Sequence, residues 1–268
     1  MLFKLYLFIK RSLLTIISYK TGLALSILGS FVGLLQFSFM GKFLSDGNSF
    51  PALEQYGGNL LAYLIIGSAF TSFVGVSLNS FQQTIRSEQQ MGTLEYLLLS
   101  NTRLESILFI SGMTNFLNAF VNVTLLLAVV IFVFSIPLTI NLGGALIAVI
   151  LTITSLSGIG LMSAGIIIIT KVGDPITWAF TTMTGLLSGV LFPIEYLPWY
   201  LKALSSVLPT THALIALRMT LINGAGIEAI SQQIVFLLIM TMITLPLGFF
   251  IVRLGFNKSR RVGSLAQY

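Results

Sequence analysis

The polar residues able to do chemistry fall into a few short patterns. One is an island, Arg86-Ser-Glu-Gln-Gln-Met-Gly-Thr-Leu-Glu-Tyr-Leu-Leu-Leu-Ser100, between two long hydrophobic runs. It carries Arg86, Glu88 and Glu95, three of the chain's few charges. So apolar a chain has little reason to keep such a segment unless something in the aqueous phase reads it. A second pattern is Thr177, Thr181, Thr184 and Ser188 at helical spacing, beside Gly185-x-x-x-Gly189. A third is Ser111, Asn115, Asn118 and Asn122. Stripes of this kind either line a hydrated path or hold helices together by hydrogen bonds in lipid, and the pattern alone leaves both readings open.

Most reaction classes are excluded. The chain has no cysteine, which removes disulfides, thiolate metal sites and cysteine nucleophiles. Its one histidine, His212, cannot build a multi-histidine metal site and reads as structural. The sequence contains no G-x-x-x-x-G-K-[ST], no H-E-x-x-H and no G-x-S-x-G. The chain therefore reads as no enzyme, with no catalytic, metal or cofactor-binding residue of its own.

The elements that position these residues follow from composition. The chain has 268 residues, 56% hydrophobic and 8% charged, with a mean hydropathy of +0.97. A soluble domain carries about 25% charged residues. The fold class is an all-α polytopic membrane protein in one transmembrane domain, 1–268. Six spans are expected at about 21–41, 59–79, 107–134, 142–169, 176–193 and 232–252, each near the ~20 residues that cross a bilayer core. Residues 1–20, punctuated by Lys4, Lys10, Arg11 and Lys20, read as an N-terminal interfacial helix or as a lead-in to span one. A cleaved signal peptide is not expected, because Leu5–Ile9 is too short for the apolar region one needs. Asp174-Pro175 has the form of an N-cap followed by proline at N1. Pro246 is expected to kink the last span.

Charge sets the orientation. With the N-terminus inside, only Lys42, Lys202 and Arg218 of the 14 lysines and arginines fall outside. The bias places both termini in the cytoplasm and the chain in the plasma (inner) membrane. The net charge of +6 is thus a topology signal, and no nucleic-acid partner is expected. Residues 194–231 are too apolar for a free loop, yet Pro198 and Pro209 interrupt them. They read as short re-entrant outer helices before the last span, with Tyr196, Trp199 and Tyr200 in an interfacial belt, or as one irregular further span. Gly29-x-x-x-Gly33 and Gly185-x-x-x-Gly189 allow close helix approach, either between two chains or within one. No span holds the ionisable group that an ion-coupled carrier needs.

The island forms a short amphipathic helix with Met91, Leu94 and Leu98 on one side and its carboxylates elsewhere. It fits a groove on a soluble partner, or it is an ordinary solvated helix. Glu88-Gln-Gln-Met-Gly-Thr-Leu-Glu-Tyr-Leu-Leu-Leu-Ser100 resembles the E-x-x-x-G-T-L-E-x-L-L segment of ABC-2 type transporter permeases. Gly189-Val-Leu-Phe-Pro-Ile-Glu-Tyr-Leu-Pro-Trp-Tyr-Leu, continuing through Leu208–Arg218, resembles that family's stretch after the fifth span. One departure is Asn101-Thr102, where many members have a proline.

The resemblance implies a cytoplasmic coupling helix within 84–103, with Glu88, Gln89, Gly92, Thr93, Leu94 and Glu95 meeting an ATP-binding cassette subunit. Two such subunits would carry ATP and Mg; this chain holds no cofactor. It implies a homo- or heterodimer of permease chains paired through spans one and five. Gly29, Gly33, Thr177, Thr181, Thr184, Gly185, Ser188 and Gly189 would then stand at the interface or the path. The implied function is the permease subunit of an ATP-driven exporter of a drug, lipid or lipid-linked glycan. An ion-coupled secondary transporter would show gradient-driven flux without ATP. A non-transport accessory subunit would show no flux.

Overall fold

Three long helices form the frame, and side-chain caps start two of them. Asn59 accepts a hydrogen bond from the Ala62 N–H at 3.0 Å, opening α1 (Leu60–Gln90). Asn141 does the same for the Gly144 N–H at 3.0 Å, opening α2 (Leu142–Thr170). Each supplies an acceptor to a backbone donor that the first turn leaves unpaired. The structure, a computed structural model, describes residues 59–90, 138–170 and 174–262, together with Leu53 and scattered helical positions within 25–40 and 112–132. The expected interfacial helix at 1–20 and residues 91–111 lie outside the described residues.

Four further helices follow: α3 (Pro175–Leu187), α4 (Trp199–Val207), α5 (Pro209–Leu221) and α6 (Ser231–Val262), with a 3-10 turn at Ile194–Tyr196. Every regular element among the described residues is helical. Within α1, α2 and α6, the segments Leu60–Arg86, Leu142–Thr170 and Ser231–Ser259 are long and apolar enough to cross a membrane. Asp174 caps α3 as its sequence predicts, accepting from the Thr177 N–H at 3.1 Å with Pro175 in the first turn. Pro198 caps α4, and Pro209 opens α5. α6 runs on through Pro246, where the missing N–H leaves the Met242 carbonyl without its helical partner.

Three elements differ from expectation, and one is α6, which runs past 252 to Val262. α1 does not stop near 79 but continues to Gln90, carrying the start of the polar island as helix. The helix at 176–193 is shorter than expected and ends at Leu187. Gly189 follows with φ 77°, a left-handed conformation natural to glycine, and Pro193 follows in turn. The 13 residues of α3 span about 20 Å, less than the ~30 Å hydrocarbon core.

α2 is the hub, packed against α1, α3, α5 and α6. Its seam with α6 is built on glycines two turns apart on both helices. A Cβ on Gly158 would lie 2.3 Å from the Thr244 carbonyl carbon, and one on Gly165 would lie 2.8 Å from the Ile251 carbonyl carbon. Reciprocally, a Cβ on Gly248 or Gly255 would lie 2.5 or 2.4 Å from the carbonyl oxygen of Gly158 or Gly165. Residue numbers rise together along both helices, so α2 and α6 run parallel. Thr244 Oγ1 donates to the Ser155 carbonyl at 2.9 Å within this seam. α1 runs in the same direction, because Gly160 abuts the Ser77 and Leu78 carbonyls while Ala145 and Val149 share a cavity with Ala62 and Ile66. A chain threading three parallel helices must return between them, through residues 91–141 and 171–230.

Candidate functional site

Two of the residues expected to meet an ATPase lie at one end of α1. Glu88 and Gln89 are in its last turn, and Arg86 just before them is exposed. Gly92, Thr93, Leu94 and Glu95 lie outside the described residues. At 1.5 Å per residue, Glu88 stands about 38 Å along the helix from Tyr63 near the other end.

At that other end the structure holds a feature absent from the sequence reading. Arg218, expected at the aqueous outer edge, is 1% exposed. Its guanidinium donates from Nη1 to the Gly189 carbonyl at 2.7 Å. From Nη2 it donates to the Tyr63 and Val190 carbonyls, both at 3.1 Å. The guanidinium carbon lies 3.4 Å from the centroid of the Tyr63 ring, a cation–π contact. The Tyr63 hydroxyl in turn donates to the Gly189 carbonyl at 2.6 Å. A planar fork with several fixed donors suits this set of diverging carbonyls better than an ammonium would. Gly67 leaves the space: a Cβ there would sit 2.5 Å from the Val190 oxygen and 2.9 Å from Nη2. The node thus ties α1, the turn after α3, and α5 together.

The Thr/Ser stripe is divided. Thr177, Thr184 and Ser188 are buried and bonded inside this chain. Thr177 Oγ1 donates to Ser163 Oγ at 3.1 Å, and Ser163 donates to the Asp174 carboxylate. Thr184 and Ser188 both meet Thr210 Oγ1, at 3.2 and 2.6 Å. Ser205 Oγ donates to the Leu187 carbonyl at 2.7 Å beside them, docking α4 under the end of α3. Thr181 is half-buried.

The glycines divide too. A Cβ on Gly29, Gly33 or Gly185 would meet nothing within 4 Å, so these three face open space in the single chain. Gly189 is buried in the turn and is not on a helix, so Gly185-x-x-x-Gly189 makes no continuous helical face.

Of the asparagine stripe, Asn115 donates to the Ser80 carbonyl at 3.3 Å, joining the third-span segment to α1. Ser111, Asn118 and Asn122 lie outside the described residues. His212 stacks on Phe236 with centroids 3.8 Å apart, and its Nε2 lies 2.9 Å from the Ser206 carbonyl. It fastens α5 to α6. Among the described residues no cluster of histidine and carboxylate side chains could hold a metal.

The arrangement is therefore a long helix, α1, with exposed Arg86 near one end and a buried anchor at Tyr63 near the other, and a packed set of short helices on that anchor. Sequence reasoning missed Arg218, Tyr63 and Gly67. The available signal was an arginine within the apolar helix Pro209–Leu221, where Leu214, Leu217 and Leu221 follow core spacing.

Comparison with known proteins agrees with this architecture. Residues 4–222 match the family described as ABC-2 type transporter. A curated relative, ABC transporter G family member 20 of Dictyostelium discoideum, is 29% identical over 160 residues, covering 58% of this chain. The match covers 21% of the relative, so it spans about a fifth of that much longer protein. With most of its length inside the family match and its apolar helices built to cross a bilayer, the chain is a multi-pass membrane protein that belongs to the ABC-2 type transporter family.

Proposed function

We propose that the chain is the permease subunit of an ATP-driven exporter. It works as a homo- or heterodimer with two ATP-binding cassette subunits that bring ATP and Mg. The observation that carries this reading, beyond the family, is the continuity of α1 from Leu60 to Gln90. A helix without a break carries displacement from one end to the other. A push on the segment at Glu88, Gln89, Gly92, Thr93, Leu94 and Glu95 is then felt at Tyr63, and through Arg218 in the outer helices α4 and α5. Three parallel long helices are consistent with six crossings and both termini in the cytoplasm of a plasma-membrane protein. The open glycines Gly29, Gly33 and Gly185, with Thr181, are the face offered to a second permease chain. The substrate is a drug, a lipid or a lipid-linked glycan, passing between the two chains.

Arg218 does not revive the ion-coupled alternative. A guanidinium does not give up its proton in a protein, so it cannot serve as a titrating coupling site. The test is gentle purification from the native membrane. A stoichiometric P-loop ATPase should accompany the chain and be lost from a well-folded Glu88→Lys/Glu95→Lys variant. A clean homo-oligomer without ATPase in several mild detergents would overturn the reading.

A further inference from the structure

Between α1, α2, α5 and the described positions Val123, Thr124, Ala128 and Phe132 lies a cavity of about 550 Å³, a size within the usual range for ligand pockets. Its deep wall is Ala62, Ile66 and Ala69, all nearly inaccessible. Its rim includes Phe132, 86% exposed, and Leu142, 70% exposed, with Leu146 beside them. Among the described lining residues, Thr124 carries the one polar side chain.

Water cannot fill this space. It would need on the order of ten molecules, each wanting 2–4 polar partners, against one hydroxyl. An empty void of this size forfeits dispersion contacts along its whole wall. The rim residues Leu142 and Leu146 belong to α2, a helix long and apolar enough to cross a membrane, which sets lipid hydrocarbon beside the mouth. None of the open glycines lines the cavity, and neither does α3, so a second copy paired through Gly29, Gly33 and Gly185 would not fill it.

We propose that the cavity holds one acyl chain of a bilayer phospholipid as a resident of the subunit, separate from the substrate path. The lipid enters sideways past Phe132 and Leu146, its terminal methylenes reaching Ala69. Small side chains at Ala62, Ala69 and Ala145 create the depth, and Phe70 and Phe73 also line the wall.

The test uses the full chain in phosphatidylcholine vesicles containing a phospholipid with a diazirine near its tail end. Adducts on peptides from Ala62–Phe73 and Ala145–Val149 are expected. Ala69→Phe, which fills the deep end, should lower them about tenfold, the loss that two buried methylenes amount to. Leu146→Trp at the exposed rim should lower them too without touching the core, which covers the case in which Ala69→Phe fails to fold. Adducts around Met242, on the exposed face of α6, should not change. Equal labelling in wild type and both variants, or labelling confined to surface residues, would overturn the proposal. No ATPase is needed, so this outcome is independent of whether the chain exports anything.

Discussion

Replacing Arg218 with leucine removes three charge-assisted hydrogen bonds and one cation–π contact at a site that is 1% exposed. Bonds to a charged group contribute about 1.5–3 kcal/mol each, and a desolvated cation–π contact about 2. Against this, leucine needs no desolvation of a guanidinium, a cost of several kcal/mol. The Gly189 carbonyl also keeps its bond from the Tyr63 hydroxyl, whereas that of Val190 loses the guanidinium. The net loss is therefore set near 3 kcal/mol, about what one or two buried carbonyls deprived of their donor cost at ~1–3 kcal/mol each. Arg218→Lys should fall between leucine and wild type, because an ammonium cannot span all three oxygens. The assay is thermal unfolding in detergent, followed by the monodisperse fraction. A loss of this size should lower the midpoint by on the order of 10 °C, if the scaling for soluble domains carries over. Tyr63→Phe should cost about 1 kcal/mol. The two changes meet at the Gly189 oxygen, so a double-mutant cycle should give a coupling of about 1 kcal/mol. An Arg218→Leu chain at least as stable as wild type, or strict additivity with Tyr63→Phe, would refute the reasoning.

Other changes separate packing from pairing. Gly158→Val places side-chain atoms into the Thr244 backbone and should cost upward of about 2 kcal/mol in the same melt. Gly185→Ala meets open space and should leave the single chain's melting within about 0.5 kcal/mol of wild type, while lowering chain-to-chain cross-linking in membranes. Asp174→Ala loses the α3 cap and the Ser163 contact, and should cost about 1 kcal/mol, read by the same unfolding assay. Glu95→Lys should leave folding intact, and ATP hydrolysis should then no longer drive transport in reconstituted vesicles.

What could be read in advance tracked local chemistry. Apolar runs announced long helices, and Asp174-Pro175 announced its own cap, because both depend on neighbours in sequence. Pro198 and Pro209 marked breaks for the same reason. The ends of helices were less legible. α1 continues through Arg86–Gln90 because those polar residues are good helix formers once the helix has been nucleated, and hydropathy stops at the first charge. α3 ends early because Gly189 adopts a left-handed turn, which a hydropathy window counts as one more apolar residue. The Arg218 node was illegible because its partners are distant in sequence: Tyr63 is 155 residues away. The seam glycines repeat every seven residues, a spacing outside the four-residue signal of close helix packing.

That seven-residue repeat sets where the molecule can bend. Sliding α2 past α6 by one turn, about 5.4 Å, would bring side chains onto positions where only a hydrogen fits. The two helices are keyed like a ratchet with no neighbouring notch, and must travel as one plank. Strain introduced at Gln90 cannot be absorbed there. Among the described residues, the sharply turned backbone between α3 and the short helices is the Ser188–Pro193 bend, whose carbonyls are gripped by Arg218. Among the described residues, compliance is thus concentrated in that bend, and the grip on it sets how stiff the hinge is.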